Sequence, residues 1–325
     1  MEEALSEENA IKEIYGKTGA LLSPEQIDDT IREEDGFIIP ITYSEFDTKS
    51  AVSKVAELRD VCMENGADFV YVAYPSKLML SDEEYEKAYN IKCNNGALRS
   101  SFLSGLSGEG VNVLDMGKEL TDAGYTYKDI FYKTDHHWTT RCGFFAAGKM
   151  ATYVNEEFGV ATKLENLEED KFSFEDYQNL WLGEMGREYS QSWADVLDDY
   201  AVIKPTYETH LEYTRPGIET KEGDFSVLLD EELVKGKIDL YETSLHYAFF
   251  PGASPFELAN IRNIDYPDGP RVLLIKDSFS VCVTPFLSLA CGQLDTWDLR
   301  GTPGSLYEGI QNGNYDVVIL AYTDY

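Results

Sequence analysis

Three runs of this chain, ADFVYVAYP (67–75), PRVLLIKDSFS (270–280) and YDVVILAY (315–322), are β-prone and continuously apolar. They lack the polar alternation of a strand with one wet face. Strands of this kind are buried on both faces, as in a parallel sheet covered by helices. Segments between them have helical spacing. TKSAVSKVAELRDVCMENG (48–66) places Val52, Val55, Leu58, Val61 and Cys62 on one face and closes with a glycine. TTRCGFFAAGKMATYVNEEFG (139–159) does the same with Phe144, Phe145, Ala147, Met150 and Val154. VNVLDM (111–116) and LDTWDL (294–299) predict two further short strands, KELTDAG (118–124) a helical turn and PFLSLACG (285–292) a short helix. Such alternation predicts an α/β fold, a mostly parallel sheet with helices on both faces.

Two regions depart from the pattern. The first 35 residues are acidic and poor in large apolar side chains, so they read as a helical or loose arm, with order beginning near GFIIPI. Residues 160–260 contain short β-prone runs, YAVIKPTYETHLEYTRP and KIDLYETSLHYAFFPG, broken by Gly, Pro and acid pairs. They predict a β-rich insertion with hairpins inside a domain spanning 36–325.

The 59 acidic against 27 basic residues give a formal net charge of -32, which repels phosphate backbones and anionic membrane surfaces, so no nucleic-acid partner is expected. Five cysteines show no CxxC pair and no zinc spacing, and read as small buried apolar residues. No apolar run approaches the ~18 residues of a membrane span. The opening MEEALSEENAIKEIYG lacks the basic and apolar regions of a signal peptide, so neither leader nor anchor is expected in this chain.

In open parallel sheets ligands bind beyond the carboxyl ends of the strands. VLLIKDSFS puts Ser278 at such an end, before an apolar helical stretch. A serine there is either a helix cap or a nucleophile with backbone N–H groups ready for developing negative charge. A hydroxyl needs a base, and the base an orienting group. YKTDHHWTT (132–140) holds two of the four histidines beside an aspartate. On an extended backbone Asp135 and His137 share a side and His136 points away, toward substrate or into local packing. Asp135 would then hold His137 and raise its pKa. A metal site would want further ligands, and no HExxH or HxH pattern is present. The remaining alternative is that Asp135 or Thr134 caps the next helix while the rings pack locally. His210 and His246, in the insertion, read as hydrogen-bonded or solvent-facing.

IFYKTDHHWTTRCGFFAAGKM together with VLLIKDSFSVCVTPFLSLACGQLDTWDLR resembles the DHHW family of bacterial envelope proteins, relatives of the SGNH-hydrolase-like alginate O-acetyltransferases. VYVAYPSK, WLGEMG and YDVVILAY fall in the matching order, so the resemblance covers most of 36–325. It implies a three-layer α/β/α SGNH-like fold, with Ser278 as nucleophile and Asp135 and His137 as the Asp-x-His pair. It further implies acetyl transfer on a cell-envelope or extracellular polysaccharide, without metal or cofactor, and an acyl donor supplied by a membrane-bound acyltransferase. A carbohydrate acetylesterase using the same triad and a non-catalytic glycan-binding or scaffold protein are the alternatives. The usual G-D-S is here Lys276-Asp277-Ser278, and the separate glycine and asparagine blocks of the oxyanion hole are missing. The Ser278 N–H is one candidate oxyanion donor; Gly183, Arg300, His136 and Lys77 are candidate oxyanion or substrate contacts.

Overall fold

The computed structural model describes residues 7–22, 25–28, 30–41, 46–79, 82–90, 92–215, 219–248 and 258–323. Strands are numbered in chain order. β1 (Gln26–Ile27), β2 (Thr30–Arg32) and β3 (Ile38–Pro40) make a small antiparallel sheet. β4 (Asp68–Tyr74) and β5 (Asn112–Asp115) begin the main sheet, while β6 (Phe172–Trp181) and β7 (Asp198–Pro205) pair with each other outside it. β8 (Leu211–Thr214), β9 (Lys221–Gly223), β10 (Ala259–Asn263), β11 (Arg271–Lys276), β12 (Gln293–Asp298) and β13 (Val317–Thr323) complete an eight-stranded sheet of order β5-β4-β13-β11-β12-β10-β8-β9.

The pairings from β5 through β12 are parallel, and those of β10, β8 and β9 are antiparallel. Successive residues of the parallel strands alternate between two cores. Val70, Val72, Tyr74, Val272, Leu274, Val317 and Ile319 pack with Met150 and Val154 of the helix Thr140–Phe158. Phe69, Tyr71, Leu273, Ile275, Val318 and Leu320 pack with Leu58 and Cys62 of the helix Thr48–Glu64 and with Phe102 of the helix Asn95–Gly108. The predicted α/β/α layering is therefore present, each continuous apolar run being wet on neither face.

The helix Asn95–Gly108 lies outside the elements that the sequence pattern predicts. Its sequence NGALRSSFLSGLSG is rich in Gly and Ser, weak helix formers, and burial of Phe102 and Leu106 against the sheet offsets that weakness. The acidic N-terminal stretch contains a helix, Glu7–Leu22, that packs on the helices Glu184–Tyr189 and Gln191–Ala194. Residues 160–260 divide in two: the β6–β7 hairpin stands apart, whereas β8, β9 and β10 extend the main sheet. The end of the run KIDLYETSLHYAFFPG, 249–252, lies outside the described residues. Cys62, Cys142, Cys282 and Cys291 are buried thiols, each with its pKa pushed up by burial.

Candidate active site

The parallel strands β4, β5, β11, β12 and β13 all end on one rim of the sheet, and the segments that follow β5 and β11 build the site. After β11 the chain enters a tight 3-10 turn, Ser278–Cys282. Asp277 holds it: its carboxylate accepts the Phe279 N–H (2.9 Å) and the N–H (2.7 Å) and hydroxyl of Thr323 at the end of β13. The acid of the K-D-S-F string is therefore a brace for the turn. Ser278 stands at the turn's start, 7% exposed, and none of the described hydrogen bonds uses its N–H.

Facing it is a loop closed on itself by an antiparallel bridge between Phe131 and Trp138, with Thr139 N–H donating to Ile130 O. Its tip is bent, where spacing predicted extended backbone. Asp135 and His137 still meet, because the Asp135 carboxylate accepts the His137 N–H (2.9 Å) and Nδ1–H (2.7 Å) through the same oxygen. His137 Nε2 lies 2.8 Å from Ser278 Oγ. Trp138 completes the docking by donating Nε1–H to Phe279 O at 2.8 Å. The next helix is capped by Thr139, whose hydroxyl accepts the Cys142 N–H, rather than by Thr134 or Asp135.

Asp135 and His137 are each 1% exposed. Burial works to raise the Asp135 pKa, but the adjacent His137, His136 and His246 hold it well below the usual carboxylate range. For His137 burial dominates and, with His136 adding to it, outweighs Asp135, so the pKa falls to about 4. The upward shift expected from Asp135 alone is reversed by the loss of water around the ring. At neutral pH the pair is carboxylate and neutral imidazole.

The other candidate contacts are placed differently. Gly183 donates its N–H to Thr134 Oγ at 2.7 Å, so it is no oxyanion donor. Its missing side chain is the point: a Cβ there would lie 2.4 Å from Asp135 Cβ and 2.6 Å from Asp135 N. That close approach lets the Glu184 N–H reach Asp135 Oδ2 at 2.8 Å. Lys77 is 2% exposed and donates Nζ–H to Ile38 O (2.7 Å) and Lys133 O (3.0 Å), so it braces the loop and does not face substrate. Burial pulls it down to about 7, and lifts nearby Asp198 to about 6. Asp198 accepts the N–H groups of Lys133 and Thr134 and the Thr134 hydroxyl. The Arg300 guanidinium is engaged with Asp298 through Nε (3.0 Å) and an Nη (2.7 Å). His136, its side chain 39% exposed, lies at the open side of the site, its Nδ1 3.6 Å from Glu184 Oε2.

His246, expected to be hydrogen-bonded or solvent-facing, is hydrogen-bonded to the Ser278 carbonyl, but it is also 3% exposed and stacked on His137, a place in the site that the sequence did not suggest. No motif marks it, and only its rarity, one of four histidines, singles it out. His210 is at the surface, 2.8 Å from Glu222. No helix among the described residues is long and apolar enough to cross a membrane.

Residues 42–202 match the family described as SGNH hydrolase-like domain, acetyltransferase AlgX. The match includes Asp135 and His137 and stops before Ser278. Among solved structures the fold is similar to PatB1 of Bacillus cereus, solved with a sulfonyl adduct, at 17% identity over 92% of this chain and 96% of that one, TM-score 0.72. It is also similar to a DHHW family protein from Eubacterium siraeum, 16% identical over 92% of both chains, TM-score 0.66. The O-acetyltransferase domain of Pseudomonas putida AlgJ follows at 12% identity, 91% of this chain and 90% of that one, TM-score 0.50. No curated protein matches the sequence. The resemblance carried by the D-H-H-W and K-D-S-F strings is borne out: the fold is SGNH hydrolase-like, and residues 42–202 are similar to the AlgX acetyltransferase domain.

Proposed function

We propose that this SGNH hydrolase-like domain transfers acetyl groups to hydroxyls of a bacterial cell-envelope or extracellular polysaccharide through an acyl-enzyme on Ser278. The observation that carries the reading is the continuous line Asp135 Oδ1, His137 Nδ1, His137 Nε2, Ser278 Oγ, at 2.7 Å and 2.8 Å. His137, neutral, removes the Ser278 proton as Oγ attacks the acyl carbonyl, and Asp135 stabilises the imidazolium that results. The Ser278 N–H at the turn's start supports the oxyanion. Collapse breaks the bond between the carbonyl carbon and the donor's leaving atom, which takes the proton from His137. A sugar hydroxyl then gives its proton to His137 and attacks the acyl-enzyme; the bond to Ser278 Oγ breaks, Oγ takes that proton back from His137, and the acetylated glycan leaves. The AlgX-type family match and the O-acetyltransferase domain of AlgJ support the acetyl class. The donor, on this reading, is supplied by a membrane-bound acyltransferase.

The sulfonyl adduct of the similar PatB1 structure suggests the test, since sulfonyl reagents capture activated hydroxyls. An aryl sulfonyl fluoride should label the protein once, on Ser278, and Ser278→Ala should abolish labelling and aryl acetate turnover. Folded Ser278→Ala with wild-type turnover overturns the mechanism. Ser280→Ala should remain active, because Ser280 is buried with its hydroxyl on Tyr74 OH at 2.9 Å. With an acceptor glycan present, acetyl should appear on the glycan; release of free acetate alone would identify an esterase.

A further inference from the structure

His246 belongs to a short helix, Leu245–Ala248, in the region that carries no motif. Its ring lies nearly parallel to that of His137, with centroids 3.6 Å apart and 13° between the planes. Its Nε2 is 2.7 Å from the carbonyl oxygen of Ser278, a distance that requires an Nε2–H donor. One buried side chain therefore touches both halves of the proposed machinery, the face of the base and the backbone of the nucleophile.

Hydrogen bonds hold the His137 ring only at its edges, from Asp135 at Nδ1 and Ser278 at Nε2. Rotation of the ring out of its plane would lengthen both at once. On one side it meets His136, tilted by 36° at 3.9 Å and partly exposed. The fully packed flat contact is His246. The Ser278 carbonyl, gripped by the same ring, fixes the peptide plane from which the Ser278 side chain departs.

We propose that His246 is a positioning residue for the acyl transfer, setting the plane of His137 with its face and the backbone of Ser278 with its Nε2–H. The inference rests on the reading that Ser278 and His137 perform that transfer. It also assigns His246 an electronic role: when His137 takes the serine proton, the cation forms against the π face of a neutral ring, which favours it. Burial, with His137 adding to it, keeps His246 neutral by pushing its pKa well below the ordinary range, while Asp135 opposes them.

Three substitutions separate these contributions. His246→Ala removes both contacts, His246→Phe keeps a flat ring without the donor, and His246→Gln keeps a donor without the ring. Displacements near 1 Å in a catalytic geometry lower rates by about 100-fold. In aryl acetate turnover His246→Ala should lose about 10- to 100-fold in kcat with KM within about twofold, and sulfonyl fluoride labelling of Ser278 should slow in parallel. His246→Phe and His246→Gln should each recover part of the loss. A purely structural role would lower Tm and leave kcat of the folded fraction unchanged. Wild-type kcat in folded His246→Ala, or in both partial variants when the alanine form does not fold, overturns the proposal. Ser278→Ala serves as the independent control. If it too retains turnover, the acyl-enzyme reading has failed; if it is inactive while the His246 variants are fully active, only the positioning role has.

Discussion

Strands β4, β5, β11, β12 and β13 run parallel, and the segments that follow β5 and β11 bring Asp135, His137 and Ser278 together at the sheet rim. The stretch 172–248, from the β6–β7 hairpin through the short helix of His246, contributes none of these groups. It contributes contacts upon them. Asp198 gathers the backbone of Lys133 and Thr134, Gly183 lies against Asp135, Glu184 N–H donates to its carboxylate, and His246 holds Ser278 O. On the proposed function, one region supplies the reactive atoms and the other the contacts that hold them. Such a division is physically sensible, because reactive side chains are accurate only when their own rotamers and backbones are locked by neighbours.

The sharpest way to break this comparison is to remove a reactive atom. His137→Ala should lower kcat by ~10³-fold or more, as loss of a triad base does, whereas His136→Ala, which removes a half-exposed ring, should mainly raise KM. Steady-state kinetics on folded variants decide it. Equal, total loss in both would show that the two histidines act as one unit.

On the supporting side, Asp198 should give the largest effect, in stability before rate. Asp198→Ala leaves two backbone N–H groups without their acceptor and removes the charge that favours the buried Lys77 ammonium. Leaving buried donors unsatisfied in this way costs about 3 kcal/mol. Urea unfolding should show that loss, and the additional variant Lys77→Met should restore part of it. If Asp198→Ala leaves the unfolding midpoint unchanged, the loop needs no brace from the hairpin. Gly183→Ala should act on rate: the new Cβ must displace Asp135, for a loss of about 10- to 100-fold in kcat at nearly constant KM. A fully active Gly183→Ala would mean that the close approach is incidental.

The contrast also explains what could be read from sequence. The parallel strands announce themselves because burial on both faces demands an unbroken apolar run, and Asp135 and His137 lie two residues apart in one string. Ser278 follows a strand end. The supporting contacts leave no comparable trace. Asp198 reaches Thr134 across 64 residues and His246 reaches Ser278 across 32, through pairings that a local pattern does not encode. Gly183 is legible as a candidate oxyanion or substrate contact; nothing in WLGEMG says that its missing side chain is what lies against Asp135. Even the meeting of Asp135 and His137 has a different cause from the expected one, since a bend closed by the aspartate's own carboxylate brings them together, not an extended strand. Lys77 shows the same limit: a lysine after a strand end is as compatible with the solvent as with burial under a loop.

Acid should act on both regions at once, but gently near neutrality. A general base works deprotonated, and His137 has its pKa lowered to about 4, so kcat/KM should rise with pH through about 4 and be flat from about pH 6 upward. A rise centred above pH 6.5 would show that Asp135, rather than burial, sets the basicity of the ring. The linkage has the same sign. The unfolded chain binds this proton near pH 6.5 and the folded chain only near 4, so stability is full above 6.5 and falls by on the order of 3 kcal/mol as pH drops through that window. Asp135, with its pKa depressed, adds a further loss below about pH 4. Circular dichroism along the same pH series separates the loss of base from the loss of fold.

The smallest expected effect is that of a chelator. Ligand atoms of Asp135, His136 and His137 lie within 4.8 Å of one another, close enough to invite a metal reading of the D-H-H string. Their present bonds argue otherwise. Asp135 Oδ1 already accepts the N–H and Nδ1–H of His137, Oδ2 accepts the Glu184 N–H, and His137 Nε2 faces Ser278, so an ion would have to displace the groups that orient the base. Only His136 offers a ring at the open side, with the carboxylate of Glu184 3.6 Å away, and two exposed ligands make a weak site. EDTA should therefore leave aryl acetate turnover unchanged, and elemental analysis should find no stoichiometric transition metal. Millimolar zinc should inhibit by occupying His136 and Glu184 at the open side, and His136→Ala should relieve that inhibition. Loss of turnover to EDTA, restored by one equivalent of zinc, would reverse the assignment: the bonds seen around Asp135 would then be those of an unloaded metal centre, and the hairpin side would be positioning ligands instead of a base.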